Sequence, residues 1–250
     1  MRSRSRVFMS QSGDHPVFEA CCRYGQAPRF VNAGFLLAVL LIVTTLPLAG
    51  VACGAEPLRL QVLGDSLAAG YGLSRAEAFP AQLERALRSR GVAVSVLDAS
   101  VSGDTTAGGL ARLGWVLGGK PEDRPDAVIV ELGGNDVLRG LAPAATEANL
   151  DAILARLNES GMPVLLAGMK APPNLGVEYR REFDAVYPRL AERHQILFYP
   201  FFLEGVAGVP ALNQADGIHP NARGVARIVE RIAPLADELT RIPQPGSARR

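Results

Sequence analysis

The sequence predicts an α/β fold, a parallel five-stranded sheet with helices on both faces, and two observations carry that reading. Short runs rich in Val, Leu and Ile alternate with longer amphipathic segments, the order expected when each strand is followed by a crossover helix. Hydrophobic residues make up 48% of the 250 residues. With the N-terminal stretch set aside, roughly 190 residues remain, enough for one domain with one core.

In chain order, strands are expected over 58–64, 93–98, 127–132, 163–168 and 196–199, with helices over 78–90, 105–118, 145–160, 178–193 and 221–239. The first strand runs through Leu60, Val62 and Leu63 to Gly64, and the third is the apolar run around Val128 to Leu132. In 145–160, Ala148, Leu150, Ile153, Leu154 and Leu157 fall near one face of a helix. Trp115, the only tryptophan, reads as a helix-packing residue. Right-handed crossovers leave the C-terminal ends of the strands as the edge where a site forms. Ser66 directly follows the first strand, Gly103 lies beyond the second, Asn135 follows the third, and Asp216 and His219 precede the final helix.

Residues 33–52 carry no charge, follow Arg29 and end in small residues, the pattern of a secretory signal. The expected organisation is a leader over 1–55, a folded domain over 56–242 and a flexible polar tail over 243–250. Pro47 and Ala49-Gly50-Val51-Ala52 favour cleavage between Ala52 and Ala55, giving a periplasmic or secreted protein. The alternative is an uncleaved anchor in the inner membrane, because the apolar run is about 20 residues, enough to span a bilayer. Cys21, Cys22 and Cys53 all precede the domain, which excludes a disulfide framework, a thiol nucleophile or a cysteine-ligated metal there. Twenty-six basic against 25 acidic side chains leave a net charge of +1, with no electrostatic reason to expect nucleic acid. A small or lipidic substrate is expected, and no obligate protein partner is evident.

Asp216-Gly217-Ile218-His219-Pro220 carries a carboxylate and an imidazole three residues apart. A serine hydroxyl becomes a useful nucleophile when an imidazole takes its proton and a carboxylate holds that imidazole in the right tautomer. Gly217 permits the tight turn and Pro220 keeps His219 extended, so Asp216 can reach Nδ1 and leave Nε2 for Ser66. In Gly64-Asp65-Ser66-Leu67, Gly64 is expected to let the chain turn sharply and to place Ser66 at the start of a helical turn. Asp65 or Ser66 also suits a helix cap, as does Asn221. The paired glycines of Gly133-Gly134-Asn135-Asp136 permit close approach of backbone to substrate, and the Asn135 amide can donate to a developing oxyanion. Gly103 can supply a second donor through its backbone.

These blocks, with Ser102-Gly103-Asp104-Thr105, resemble in order and spacing the four signature blocks of the GDSL or SGNH hydrolases, in particular the bacterial thioesterase, lysophospholipase and arylesterase branch. The resemblance runs from about Leu60 to Leu239. It implies a flavodoxin-like three-layer α/β/α sandwich, with Ser66 as nucleophile, His219 as general base and Asp216 as its orienting acid. It also implies an oxyanion hole from the Ser66 amide, the Gly103 amide and the Asn135 side chain, and neither metal nor organic cofactor. The expected reaction is hydrolysis of acyl esters or thioesters through an acyl-enzyme on Ser66.

By the same resemblance the substrate groove is lined by the loops 69–79 and 170–176, with Phe79, Leu175 and Tyr179 as candidate contacts for an acyl tail. Core packing is the competing reading for Phe79 and Tyr179. Lys170-Ala171-Pro172-Pro173 departs from the leucine-containing version of the thioesterases. Two other activities remain open on this fold: a carbohydrate O-deacetylase, and a non-catalytic lipid- or glycan-binding module.

Overall fold

A computed structural model describes residues 56–118, 120 and 124–243. The expectations for the leader 1–55, including the segment 33–52, and for 244–250 of the tail lie outside the described residues. Five strands form one sheet: β1 (Leu58–Gly64), β2 (Val94–Asp98), β3 (Ala127–Glu131), β4 (Val164–Ala167) and β5 (Leu197–Tyr199). Every pairing is parallel and the order is β2-β1-β3-β4-β5, the order of flavodoxin-like doubly wound sheets. The strand after β1 goes to one side of it and the later strands to the other. That reversal opens the crevice at the C-terminal ends of β1 and β3, where Ser66 and Asn135 follow.

The helices are α1 (Ser66–Ala69), α2 (Phe79–Ser89), α3 (Thr106–Val116), α4 (Gly134–Leu138), α5 (Pro143–Glu159), α6 (Val177–Asp184), α7 (Val186–His194) and α8 (Ala222–Thr240). Packing pairs α2 with α8, and α3, α5 and α7 in a row. The sheet supplies the centre of the core: Leu60, Val62, Leu63, Ile129, Val130, Leu165 and Leu166 are fully buried. Burying side chains of this size contributes about 1.5–3 kcal/mol each before chain entropy is subtracted.

The expected helix over 178–193 is two helices, broken at Ala185. Pro188 is the cause: it has no N–H to donate to Asp184, and its ring would clash with that carbonyl in a continuous helix. The helical turn expected at Ser66 is the four-residue α1, and the five-residue α4 has no apolar period to announce it. In α5 the buried face is Pro143, Thr146, Leu150, Ile153, Leu154 and Leu157. Ala148 is exposed, one position off that face, and Pro143 starts the helix two residues before the expected boundary, at the first-turn position proline suits. Trp115 is 91% exposed and does not pack among the described residues as expected; on α3 the inward positions are Thr106, Gly109, Leu113 and Val116.

Candidate active site

β1 delivers the chain into a short helical turn whose first residue is Ser66. Asp65 caps it, its Oδ1 accepting from the Leu67 amide at 2.9 Å. Gly64 is needed for room. Its φ is not in the left-handed region, and a β-carbon there would lie 2.7 Å from Ala68 Cβ and 3.0 Å from Glu131 Oε2. The conformational role expected for Gly64 is therefore replaced by a steric one.

Asp216 and His219 form a closed turn with Gly217 at φ +70°. Asp216 Oδ1 accepts from the amides of Ile218 at 2.9 Å and His219 at 3.0 Å, and Oδ2 accepts from His219 Nδ1 at 2.7 Å. A carboxylate accepts only, so Nδ1 carries the proton and Nε2 is left as acceptor for Ser66 Oγ at 2.9 Å. The His219 amide and ring and the Ile218 amide together hold the Asp216 carboxyl down at about 2. The expected nucleophile, base and orienting acid are thus one hydrogen-bonded chain, an arrangement that can pass a proton from Oγ to Nε2.

Asn135 stands between the Ser66 turn and the loop after β2. Its Nδ2 donates to Asp65 Oδ2 at 3.0 Å and to Asp104 O at 2.9 Å, so both amide protons already have partners. Among the described residues no hydrogen bond uses the amides of Ser66 or Gly103, which leaves both free to donate. Gly103 sits at φ +87°, and its carbonyl accepts from Arg139 at 2.8 Å. Arg112 fastens this loop to the sheet: it pairs with Asp104 at 2.5 Å and donates to Gly64 O at 3.0 Å and to Ala99 O. The glycine pair before Asn135 makes room for protein, where the sequence suggested substrate. Gly133, at φ +111°, lies where a β-carbon would be 2.0 Å from Tyr187 Oη, and that hydroxyl donates to Leu132 O at 2.9 Å.

Two buried acids, Asp65 and Glu131, meet at the base of the Ser66 turn. Glu131 is fully buried at the end of β3; its Oε2 accepts from the Asp65 amide at 3.3 Å, and among the described residues its Oε1 has no hydrogen-bond partner. Burial, then the neighbouring Asp65 charge, pushes the Glu131 carboxyl well up. Burial likewise raises Asp65 to about 6, against the pull of the Leu67 amide and the Asn135 side chain. Sequence reasoning missed Glu131, although a lone acid ending an apolar run was a visible signal. It also missed Tyr71, 55% exposed, whose ring centroid lies 4.7 Å from that of His219.

Of the candidate acyl contacts, Phe79 is a core residue: it is fully buried, edge-on to Phe202 with centroids 5.1 Å apart. It is removed from the substrate-facing set. Leu175 is half-buried in a 3-10 turn, Pro173–Leu175. Tyr179 stacks on Phe183 at 6.0 Å and donates to Leu141 O at 2.7 Å. Lys170 Nζ lies 5.3 Å above the Phe201 ring. Among the described residues no cluster of His, Cys, Asp and Glu is placed to hold a metal ion, and no helix is long and apolar enough to cross a membrane.

Comparison with known proteins shows the family. Residues 62–227 match the model of the GDSL-like lipase/acylhydrolase family. Esterase TesA of Pseudomonas aeruginosa is 43% identical over 180 residues, covering 72% of this chain and 88% of that protein. Thioesterase 1/protease 1/lysophospholipase L1 of Escherichia coli K12 is 44% identical over 162 residues, covering 65% of this chain and 75% of the relative. Among solved structures, that of AlinE4, an SGNH-hydrolase family esterase, superposes with a TM-score of 0.63 at 50% identity, covering 76% of this chain and 98% of AlinE4.

Proposed function

The chain belongs to the GDSL-like lipase/acylhydrolase family and is a serine ester hydrolase, and we propose that Ser66, His219 and Asp216 carry its reaction. The observation that supports this assignment is the unbroken chain from Ser66 Oγ through His219, at 2.9 Å and 2.7 Å, to Asp216. Ser66 Oγ attacks the carbonyl carbon of an acyl ester or thioester while its proton passes to His219 Nε2. The carbonyl oxygen becomes an oxyanion, met by the amides of Ser66 and Gly103 and by Asn135 Nδ2. For Asn135 this means sharing with the oxyanion an amide proton that it now donates to Asp65 Oδ2 or to the Asp104 carbonyl.

Collapse of the tetrahedral species expels the alcohol or thiol, which takes the proton from His219. Water then attacks the acyl-enzyme with His219 again as base, releasing the carboxylic acid and restoring Ser66. Asp216, with its carboxyl at about 2, stays ionised throughout and balances the imidazolium. Its function is orientation and charge, not proton uptake.

The substrate is a small-molecule ester, and within that class we propose acyl chains longer than acetyl, lying toward Leu175 and Tyr179. Export through residues 33–52 is the proposed route to the periplasm, with an inner-membrane anchor as the alternative; cell fractionation separates the two. The test of acyl preference is hydrolysis by the full chain of p-nitrophenyl esters from acetyl to palmitoyl, an acyl-CoA and a lysophospholipid. Turnover rising toward medium or long chains is expected. Activity confined to acetyl overturns the acyl-chain reading and favours a deacetylase or a small arylesterase.

A further inference from the structure

The turn that carries His219 is well fixed within itself and joined to the Ser66 segment by few contacts, among them the Tyr71 ring, whose centroid lies 4.7 Å from that of His219. Asp216 satisfies the His219 ring and two amides of the same turn, but its side chain is 38% exposed, and Gly217 and Ile218 are also exposed. Asn213 and Asn221 tie the segment to itself: Asn213 donates to the carbonyls of Val206 and Val209, and Asn221 to those of Ala211 and Asn213. None of these bonds fixes the distance from His219 to the nucleophile.

Among the described residues, only two hydrogen bonds cross directly from the segment between β1 and α2 to the His219 segment. One is Ser66 Oγ to His219; the other is Gln214 Nε2 to Tyr71 O, at 2.6 Å. Gln214 Nε2 also donates to Pro220 O at 3.0 Å, and its backbone amide to His219 O at 2.8 Å. The Tyr71 amide in turn donates to the carbonyl of Ser66 at 3.1 Å. A closed ring results: Ser66 carbonyl, Tyr71 peptide, Gln214, the His219 and Pro220 carbonyls, and back through the imidazole to Ser66 Oγ. Both Nε2 protons face carbonyl oxygens, which settles which end of the amide carries them. Residue 72 has no side chain where Gln214 passes: a β-carbon on Gly72 would lie 2.4 Å from Gln214 Oε1.

We propose that Gln214 is a positioning residue for the hydrolase reaction, tying the His219 turn to the nucleophile segment and so setting the Ser66 to His219 distance. This rests on the assignment of Ser66 and His219 above. Gln214 touches neither substrate nor reacting atoms; it removes a freedom that the exposed turn would otherwise have. Misplacement of a catalytic group by about 1 Å can cost about 100-fold in rate.

The test compares full-length wild type with Gln214→Met, which keeps length and loses both donors, and Gln214→Glu, which sets a carboxylate against two carbonyls. Ser66→Ala is the control, and melting curves are recorded for each protein. For a short soluble ester, kcat is expected to fall about 10- to 100-fold with KM within about twofold. The acid limb of the pH–rate profile stays in place, because the Asp216–His219 pair is intact. Wild-type kcat in the Met variant overturns the proposal, as does a loss carried by KM or a displaced acid limb. If Gln214→Met does not fold, Gln214→Glu decides the matter, and wild-type kcat there is equally fatal. Turnover surviving in Ser66→Ala refutes the underlying assignment instead, whatever the Gln214 variants do.

Discussion

Replacing Asp65 by asparagine should change how stability depends on pH, by an amount the structure sets. Asp65 is buried, with its carboxyl raised from 3.8 to about 6, chiefly by burial. A raised acid favours the protonated native state, so its stabilising contribution is complete below pH 3.8 and is lost as pH rises through about 6. The gap between 3.8 and about 6 corresponds to about 3 kcal/mol, at about 1.4 kcal/mol per pH unit. Asparagine resembles the protonated acid in shape and cannot ionise, so the variant lacks this loss. Its stability relative to wild type should therefore improve by up to about 3 kcal/mol between pH 4 and pH 7, whatever constant offset the altered hydrogen bonds impose. Removal of the Asp65 charge also lowers the raised Glu131 carboxyl, which lessens that group's own loss of stability with rising pH and adds to the gain. Asp216 acts in a different window: lowered to about 2, it contributes stability above 3.8 that is lost as pH falls through about 2. Urea denaturation of both proteins across pH 4 to 8 reads the difference directly. Parallel curves, with an offset independent of pH, would refute the reasoning.

Two further outcomes follow from the oxyanion side of the site. Asn135→Ala should lower kcat about 100- to 1,000-fold with little change in KM, since one oxyanion donor is worth about 3–4 kcal/mol in the transition state; steady-state kinetics with a soluble ester decide it, and a loss confined to KM would remove Asn135 from the oxyanion hole. Gly133→Ala should destabilise the fold by roughly 2–4 kcal/mol in thermal or urea melts, from the left-handed backbone and the clash with Tyr187 Oη together, and a melt within 1 °C of wild type would contradict that.

The five strands were legible because each is a short apolar run between polar or glycine-containing segments, and the bounds of β1 match its run to the residue. Sheet order was not legible from periodicity; it entered with the family resemblance, which supplied the flavodoxin-like arrangement. The expected helix that differs does so for a local reason, since Pro188 divides 178–193; the turn expected at Ser66 is α1, and α4 is too short to show a period. In the site, the residues with distinctive chemistry were legible: a serine after a strand, and an acid and a histidine three apart. What supports them was not. Glu131, Arg112 and Gln214 act through tertiary contacts with residues 66, 48 and 143 positions away, and nothing in their immediate sequence announces those partners. Glycine in a motif suggests a turn or an approach to substrate, yet Gly64 and Gly133 are needed where neighbouring side chains fill the space a β-carbon would take, which only packing reveals.

Every step of the reaction depends on Ser66 being the nucleophile. The most direct test is covalent: full-length protein treated with diethyl p-nitrophenyl phosphate, then peptide mass mapping and residual ester hydrolysis. One phosphoryl adduct on the peptide containing Ser66, forming in step with loss of activity and absent from an inactive Ser66→Ala variant, is the expected result. Ester turnover retained by Ser66→Ala, or inactivation that tracks an adduct on another residue, would contradict it.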